Sequence, residues 1–148
     1  MKRVLAVASG GGHWVQLLRL SAAWTGHDVA YVTVQPSYKS QVAGARFYSV
    51  VDATRWSRWD LLRMAVQVAW VVLRERPHVV VTTGAALGVV ALRVGKWLGA
   101  RTVWIDSIAN VDSLSLSGQR VASFADLHLT QWQHLSRDDG PAYKGSVL

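Results

Sequence analysis

Ser9-Gly10-Gly11-Gly12-His13 follows a short apolar run and precedes a helical pattern. Glycines at such a junction let the backbone approach a ligand, and the helix N-terminus behind them offers free N–H groups to a phosphate. Gly10 and Gly12 match the first two glycines of a dinucleotide fingerprint, but Val15 stands at the third position, and no Gly-Lys-Ser/Thr follows to make a P-loop. His13 is of the type that serves as a general base or hydrogen-bonds a sugar or diphosphate. The plain alternative is a tight turn with a solvent-facing His.

Two further loops carry candidate chemistry. Thr82-Thr83-Gly84 lies between a strand and a helix, where hydroxyls and N–H groups suit an anionic or hydroxylated ligand, or where Thr83 simply caps the helix. The stretch Asp106-Ser107-Ile108-Ala109-Asn110, continuing to Ser113-Leu114-Ser115-Leu116-Ser117-Gly118, is long and rich in hydroxyls. Asp106 stands at a strand end as a general base or an orienting carboxylate, with an ordinary turn residue as the alternative. A fourth segment bears on location rather than catalysis. Arg55-Trp56-Ser57-Arg58-Trp59 leads into Leu61–Leu73, whose only polar side chains are Arg63 and Gln67. Such a helix is buried or lies against something apolar, and Arg and Trp at its start match the chemistry of a bilayer interface.

Composition removes other chemistries. The chain has no Cys, which excludes disulfide scaffolds, thiolate metal sites and thiol nucleophiles. Its five His lack the paired spacing with carboxylates that a metal site needs, and the single Glu, Glu75, argues against a glycosidase built on paired Glu. Sixteen Lys and Arg against nine Asp and Glu give a formal net charge of +7, so an acidic partner is expected. No aromatic–basic platform or helix-turn-helix pattern accompanies that charge, which leaves nucleic acid unsupported. No uncharged apolar run approaches the roughly 18 residues of a membrane span.

The elements that must position these residues follow from the apolar runs. Strands are expected at Val4–Ala8, Val29–Val34, Phe47–Val51, Val79–Val81, Thr102–Ile105 and Leu127–Thr130. Between them, helical spacing covers Trp14–Trp24, Tyr38–Ala43, Leu61–Arg74, Ala85–Leu98 and a short stretch near Gln119–Phe124. This alternation with short loops predicts one α/β domain over 1–148, with a Rossmann-like, doubly wound and mainly parallel sheet. In such sheets ligands bind beyond the carboxyl ends of the strands, where the loops singled out above lie.

Together the Gly11-Gly12-His13 turn, Thr82-Thr83-Gly84, and Trp104 to Gly118 resemble the acceptor-side subunit of the split N-acetylglucosaminyltransferase of eukaryotic N-glycan assembly, and its bacterial exopolysaccharide and capsule counterparts. Ala125-Asp126-Leu127, Gln131-Trp132 and Tyr143-Lys144-Gly145 add to the resemblance, which covers essentially the whole chain. More distantly, the order of loops is similar to the N-terminal half of the transferase that glycosylates the lipid-linked peptidoglycan precursor. The resemblance implies the acceptor-binding half of a two-domain GT-B glycosyltransferase, with the donor half on a separate polypeptide. It implies hexosyl transfer from a UDP-sugar to a lipid-diphosphate-linked sugar, without metal or other cofactor. His13 or Asp106 would be the base. Gly10, Gly11, Gly12, Thr83, Gly84, Ser107, Asn110 and Ser115 would hold the acceptor and its diphosphate. The sequence opens at its first strand, so attachment to the inner face of the cell membrane would be peripheral, through Arg55, Trp56, Arg58, Trp59 and Arg63. A non-catalytic recruiter of the partner transferase is the alternative.

Overall fold

Val4–Ala8 lacks the polar alternation of a half-solvated strand because both of its faces are covered, as happens in parallel sheets. In the computed structural model, which describes residues 1–53 and 57–147, this run forms an interior strand, third in order, of a seven-stranded sheet. The strands are β1 (Arg3–Val7), β2 (Asp28–Thr33), β3 (Arg46–Ser49), β4 (Val79–Thr82), β5 (Arg101–Ile105), β6 (Leu127–Thr130) and β7 (Ala142–Tyr143). Their order is β3-β2-β1-β4-β5-β6-β7, and every pairing is parallel. The order reverses direction between β1 and β4, which opens a crevice where their carboxyl ends diverge.

Helices cover both faces. On one, α2 (Arg58–Glu75), α3 (Ala86–Trp97) and α4 (Leu116–Val121) pack Met64, Val68, Val72, Leu87, Leu92 and Val121 over Leu5, Val7 and Val80. On the other, α1 (Gly12–Arg19) sets Trp14 and Leu17 over Val4, Ala6 and Ala8. Trp14 stacks on Tyr38 with ring centroids 5.0 Å apart, and its indole N–H donates to Gln41 Oε1 at 3.0 Å.

The expected helices form with shifted ends. α2 begins three residues early because the Ser57 hydroxyl accepts the Asp60 N–H at 3.2 Å, and it ends at Arg76 in the left-handed region. The Trp14–Trp24 pattern is divided: α1 stops at Arg19, and Ser21–Trp24 winds as a tighter 3₁₀ turn. That turn delivers Trp24 to the core, where its indole donates to the Tyr31 hydroxyl at 3.1 Å. Pro36–Val42 is likewise 3₁₀ rather than α. α4 starts at Leu116 instead of near Gln119, because Ser115 caps it by accepting the Gly118 N–H at 2.9 Å. Strand β7, only two residues long, has no hydrophobic pattern by which it could be foreseen.

Candidate active site at the crevice between β1 and β4

The loops after β1 and β4 are joined across the crevice by His13 and Thr83. The His13 imidazole lies 2.8 Å, through Nδ1, from the Thr83 carbonyl, and the Thr83 hydroxyl donates to the His13 carbonyl at 2.7 Å. A carbonyl only accepts, so Nδ1 carries the proton and a neutral ring presents the Nε2 lone pair. The backbone closes the same junction, with the Ser9 N–H donating to the Gly84 carbonyl at 3.1 Å. Gly84 has φ 123°, and a Cβ built on it would stand 2.8 Å from both Cε1 and Nδ1 of His13. Glycine is required there by conformation and by contact.

Facing His13 is the loop that follows β5, and it is organised around Asp106, which is 1% exposed. Oδ1 accepts from the Ser115 hydroxyl at 2.6 Å and from the Trp104 indole at 3.0 Å. Oδ2 accepts from the Ser115 N–H at 3.0 Å and from the Asn110 amide at 3.3 Å. Each oxygen has two lone-pair directions, so the four donors fill the carboxylate. Ser107 turns the other way: its hydroxyl accepts from the Gln16 amide and from the Ala109 N–H.

Between these two walls lies a cleft of about 210 Å³, lined by His13, Thr83, Gly84 and Asp106, with Ser107, Asn110 and Ser115. Seven of the ten residues singled out for catalysis or acceptor binding are thus brought together. Gly10, Gly11 and Gly12 border this cleft through the start of α1 but do not line it. Gly11 has φ 66°, and its N–H donates to the Tyr38 hydroxyl at 3.1 Å. Helical geometry leaves the next N–H groups, those of Gly12 and His13, without partners inside the helix.

The structure gives roles to residues that sequence reasoning passed over, Gln16 among them, or quoted without a role, as with Gln131 and Asp126. Gln16, one turn beyond His13, is buried and accepts from the Ile108 N–H and from the Gln131 amide. Gln131 also donates to the Asp106 carbonyl and accepts from the Val147 N–H at 2.8 Å. A single polar side chain on the apolar face of an amphipathic helix was the available signal for Gln16. Asp126 proves structural: it accepts from Lys96 at 2.7 Å and from the N–H and hydroxyl of Thr102, locking α3 to β5.

Of the residues assigned to membrane contact, Arg55 and Trp56 lie outside the described residues. Arg58, Trp59 and Arg63 lie on the first turns of α2 and are exposed, and none of them lines the cleft. The helix is two-faced: Met64, Val68, Val71 and Val72 are buried, whereas Trp59, Leu62, Val66, Trp70 and Leu73 form an exposed apolar stripe at three- and four-residue spacing. No helix among the described residues is long and apolar enough to cross a membrane.

The parallel Rossmann-like sheet is a fold found in GT-B proteins. Over its whole length the chain superposes on Acinetobacter baumannii MurG with TM-score 0.76 at 13% identity, spanning 47% of that protein. It also matches UDP-N-acetylglucosamine 2-epimerase from Rickettsia bellii with TM-score 0.68 at 14% identity, over 90% of this chain and 40% of that one. The chain belongs to the family of Alg14-like oligosaccharide biosynthesis proteins, whose profile matches residues 4–147. The UDP-N-acetylglucosamine transferase subunit ALG14 of Eremothecium gossypii is 29% identical over 92% of this chain and 75% of its own length. The subunit of the same name from Yarrowia lipolytica is 28% identical over 91% of this chain and 62% of its own length.

Proposed function

We propose that this chain is the acceptor-binding subunit of a two-component glycosyltransferase, moving a sugar from a UDP-sugar to a lipid-diphosphate-linked acceptor in glycan or polysaccharide biosynthesis. The observation that carries the reading is the His13–Thr83 pairing, which leaves one imidazole nitrogen available in a polar cleft at the sheet's switch point. Membership of the Alg14-like family supports the reaction class and the need for a second, donor-binding polypeptide.

The acceptor diphosphate lies against the start of α1, where the N–H groups of Gly12 and His13 and the helix dipole stabilise negative charge, with Thr83-Gly84 beside it. His13 Nε2 takes the proton of the acceptor hydroxyl as that oxygen bonds to the anomeric carbon. The bond from that carbon to UDP breaks, and UDP leaves with the electron pair. Asp106, filled by four donors, holds Asn110 and Ser115 in the cleft wall and does not itself take the proton. The apolar stripe of α2, with Arg58 and Arg63, rests on the inner face of the cell membrane beside the lipid acceptor.

The test is a UDP-sugar assay on membrane extracts with the chain and its donor-binding partner co-purified. His13→Ala is expected to abolish most turnover while partner and vesicle binding persist. Normal turnover in that variant would instead favour the second reading suggested by the exposed stripe: a recruiter that brings the partner to the membrane and supplies no proton-transfer group.

A further inference from the structure

The opposite end of the sheet holds a second cavity, of about 580 Å³, where no part of the proposed transfer takes place. Four cations line it: Lys2, Arg3 at the start of β1, Arg76 just past α2, and Arg101 at the start of β5. None of the four forms an ion pair among the described residues; the pairs found there use Arg46, Arg63 and Lys96. The acids nearest in sequence and register, Asp28 and Glu75, are both taken by Arg46. The C-terminal ends of α2 and α3 offset part of the excess, about half a charge each, and leave most of it standing.

Arg3 is also held in place. Arg3 Nε donates to the Arg76 carbonyl at 2.9 Å, and the Arg3 N–H donates to His78 Nδ1 at 2.9 Å. His78 registers the resulting field: desolvation first, and then Arg3, Lys2 and the N-terminal amine, lower its pKa below the usual histidine value. The rim of the cavity is apolar and open. Leu73 continues the α2 stripe into it, Leu98 lines it, and the neighbouring Trp97 is 77% exposed. A cationic hollow bordered by exposed Leu and Trp matches a phosphate that carries hydrocarbon.

We infer that this cavity seats the phosphate headgroup of an anionic phospholipid in the bilayer on which the chain docks. The inference rests on the membrane-docking reading above and adds to it a specific preference for anionic lipid, located more than the length of a strand from the transfer cleft. The ligand is a bilayer lipid rather than a soluble phosphate because the cavity and the α2 stripe form one surface through Leu73.

The test is co-sedimentation of the full chain with vesicles of phosphatidylcholine alone or mixed with phosphatidylglycerol, comparing wild type with the triple variant Lys2→Gln, Arg76→Gly, Arg101→Gln. Arg76 has φ 46°, so glycine removes the charge while easing the backbone. Each basic residue near an anionic surface contributes about 5-fold, so the triple variant is expected to lose on the order of 100-fold on the mixed vesicles and little on phosphatidylcholine. Arg101→Gln alone, losing about 5-fold, guards against misfolding of the triple variant.

Equal binding of wild type and triple variant to mixed vesicles overturns the inference and spares the docking reading. Failure of wild type to bind either vesicle sinks the docking reading and the inference with it. Two other results overturn the lipid assignment alone. One is a thermal shift with inorganic phosphate that the triple variant lacks, without any difference on vesicles. The other is loss of tRNA retention in the triple variant with vesicle binding intact.

Discussion

His13 and Thr83 hold each other by two hydrogen bonds that cross the crevice between β1 and β4, imidazole to carbonyl at 2.8 Å and hydroxyl to carbonyl at 2.7 Å. The first bond fixes the tautomer and the second fixes the distance between the two loops. The two contributions separate by mutation. His13→Ala is expected to lower turnover about 100- to 10,000-fold, as removal of a general base does, and to cost about 1 kcal/mol of stability for the bond lost at the Thr83 carbonyl. Thr83→Val keeps the carbonyl that orients the ring but removes the returned bond, so about 1 kcal/mol of stability should be lost, with a smaller fall in turnover. Steady-state assays of the co-purified pair and urea unfolding of the chain alone measure the two effects.

Asp106 should behave in the opposite way. Its carboxylate is 1% exposed and accepts four hydrogen bonds, two of them from Ser115. In Asp106→Asn an amide N–H₂ must face at least two of those donors, an arrangement expected to cost about 2–3 kcal/mol. Turnover should then fall because the cleft wall loosens, and urea unfolding should register the same change. Asp106→Asn with wild-type stability and lost turnover would instead make Asp106 the base.

Six of the seven strands were legible because they are short apolar runs closed by Gly, Pro, Thr or Asp, and Val4–Ala8 shows that burial on both faces removes the alternation that would otherwise be sought. The cleft was legible for a different reason: polar residues crowded at the carboxyl ends of predicted strands, as at Thr82-Thr83-Gly84 and after Ile105. What escaped was contact between distant residues. Gln16 and Gln131 are 115 positions apart and bond through buried amides, a pairing that no local pattern encodes. The roles of Asp106 and Asp126 were hidden in the same way. Both follow or flank strands, yet one braces the cleft wall and the other ties a helix to the sheet. Residue type fixed their charge, and only the fold determined their partners.

His128 makes stability depend on pH. It is buried, neither ring nitrogen has a hydrogen-bond partner among the described residues, and desolvation lowers its pKa despite the opposing charge of Asp106. The native state therefore holds it neutral, while the unfolded chain takes up a proton near pH 6.5. Below that pH the unfolded state binds more protons, so stability falls as pH drops from about 6.5 toward the lowered native value. His128→Leu should flatten this part of the curve. A separate loss belongs to Asp126, whose pKa is lowered first by its hydrogen bond from Lys96; that contribution is present above the ordinary Asp value and disappears as pH falls below it. Urea midpoints for wild type and His128→Leu, from pH 8 to 4, measure the difference.

Gly118 and Gly84 yield paired predictions of opposite origin. Gly118 lies inside α4, where Ala for Gly ordinarily stabilises by about 1 kcal/mol. Here a Cβ would stand 2.7 Å from Asp106 Oδ1 and 3.0 Å from the Ser115 hydroxyl, so the sign should reverse to a loss of about 1–3 kcal/mol. Gly84→Ala meets a strained φ of 123° as well as the His13 ring at 2.8 Å. The ring is the movable party, so it should swing away from the Thr83 carbonyl, and turnover should fall nearly as far as in His13→Ala. Urea unfolding and steady-state assay of the two variants side by side test the pair. Gly118→Ala should cost more stability per unit of lost turnover than Gly84→Ala, because the first disturbs the carboxylate that braces the cleft and the second displaces the group that takes the proton.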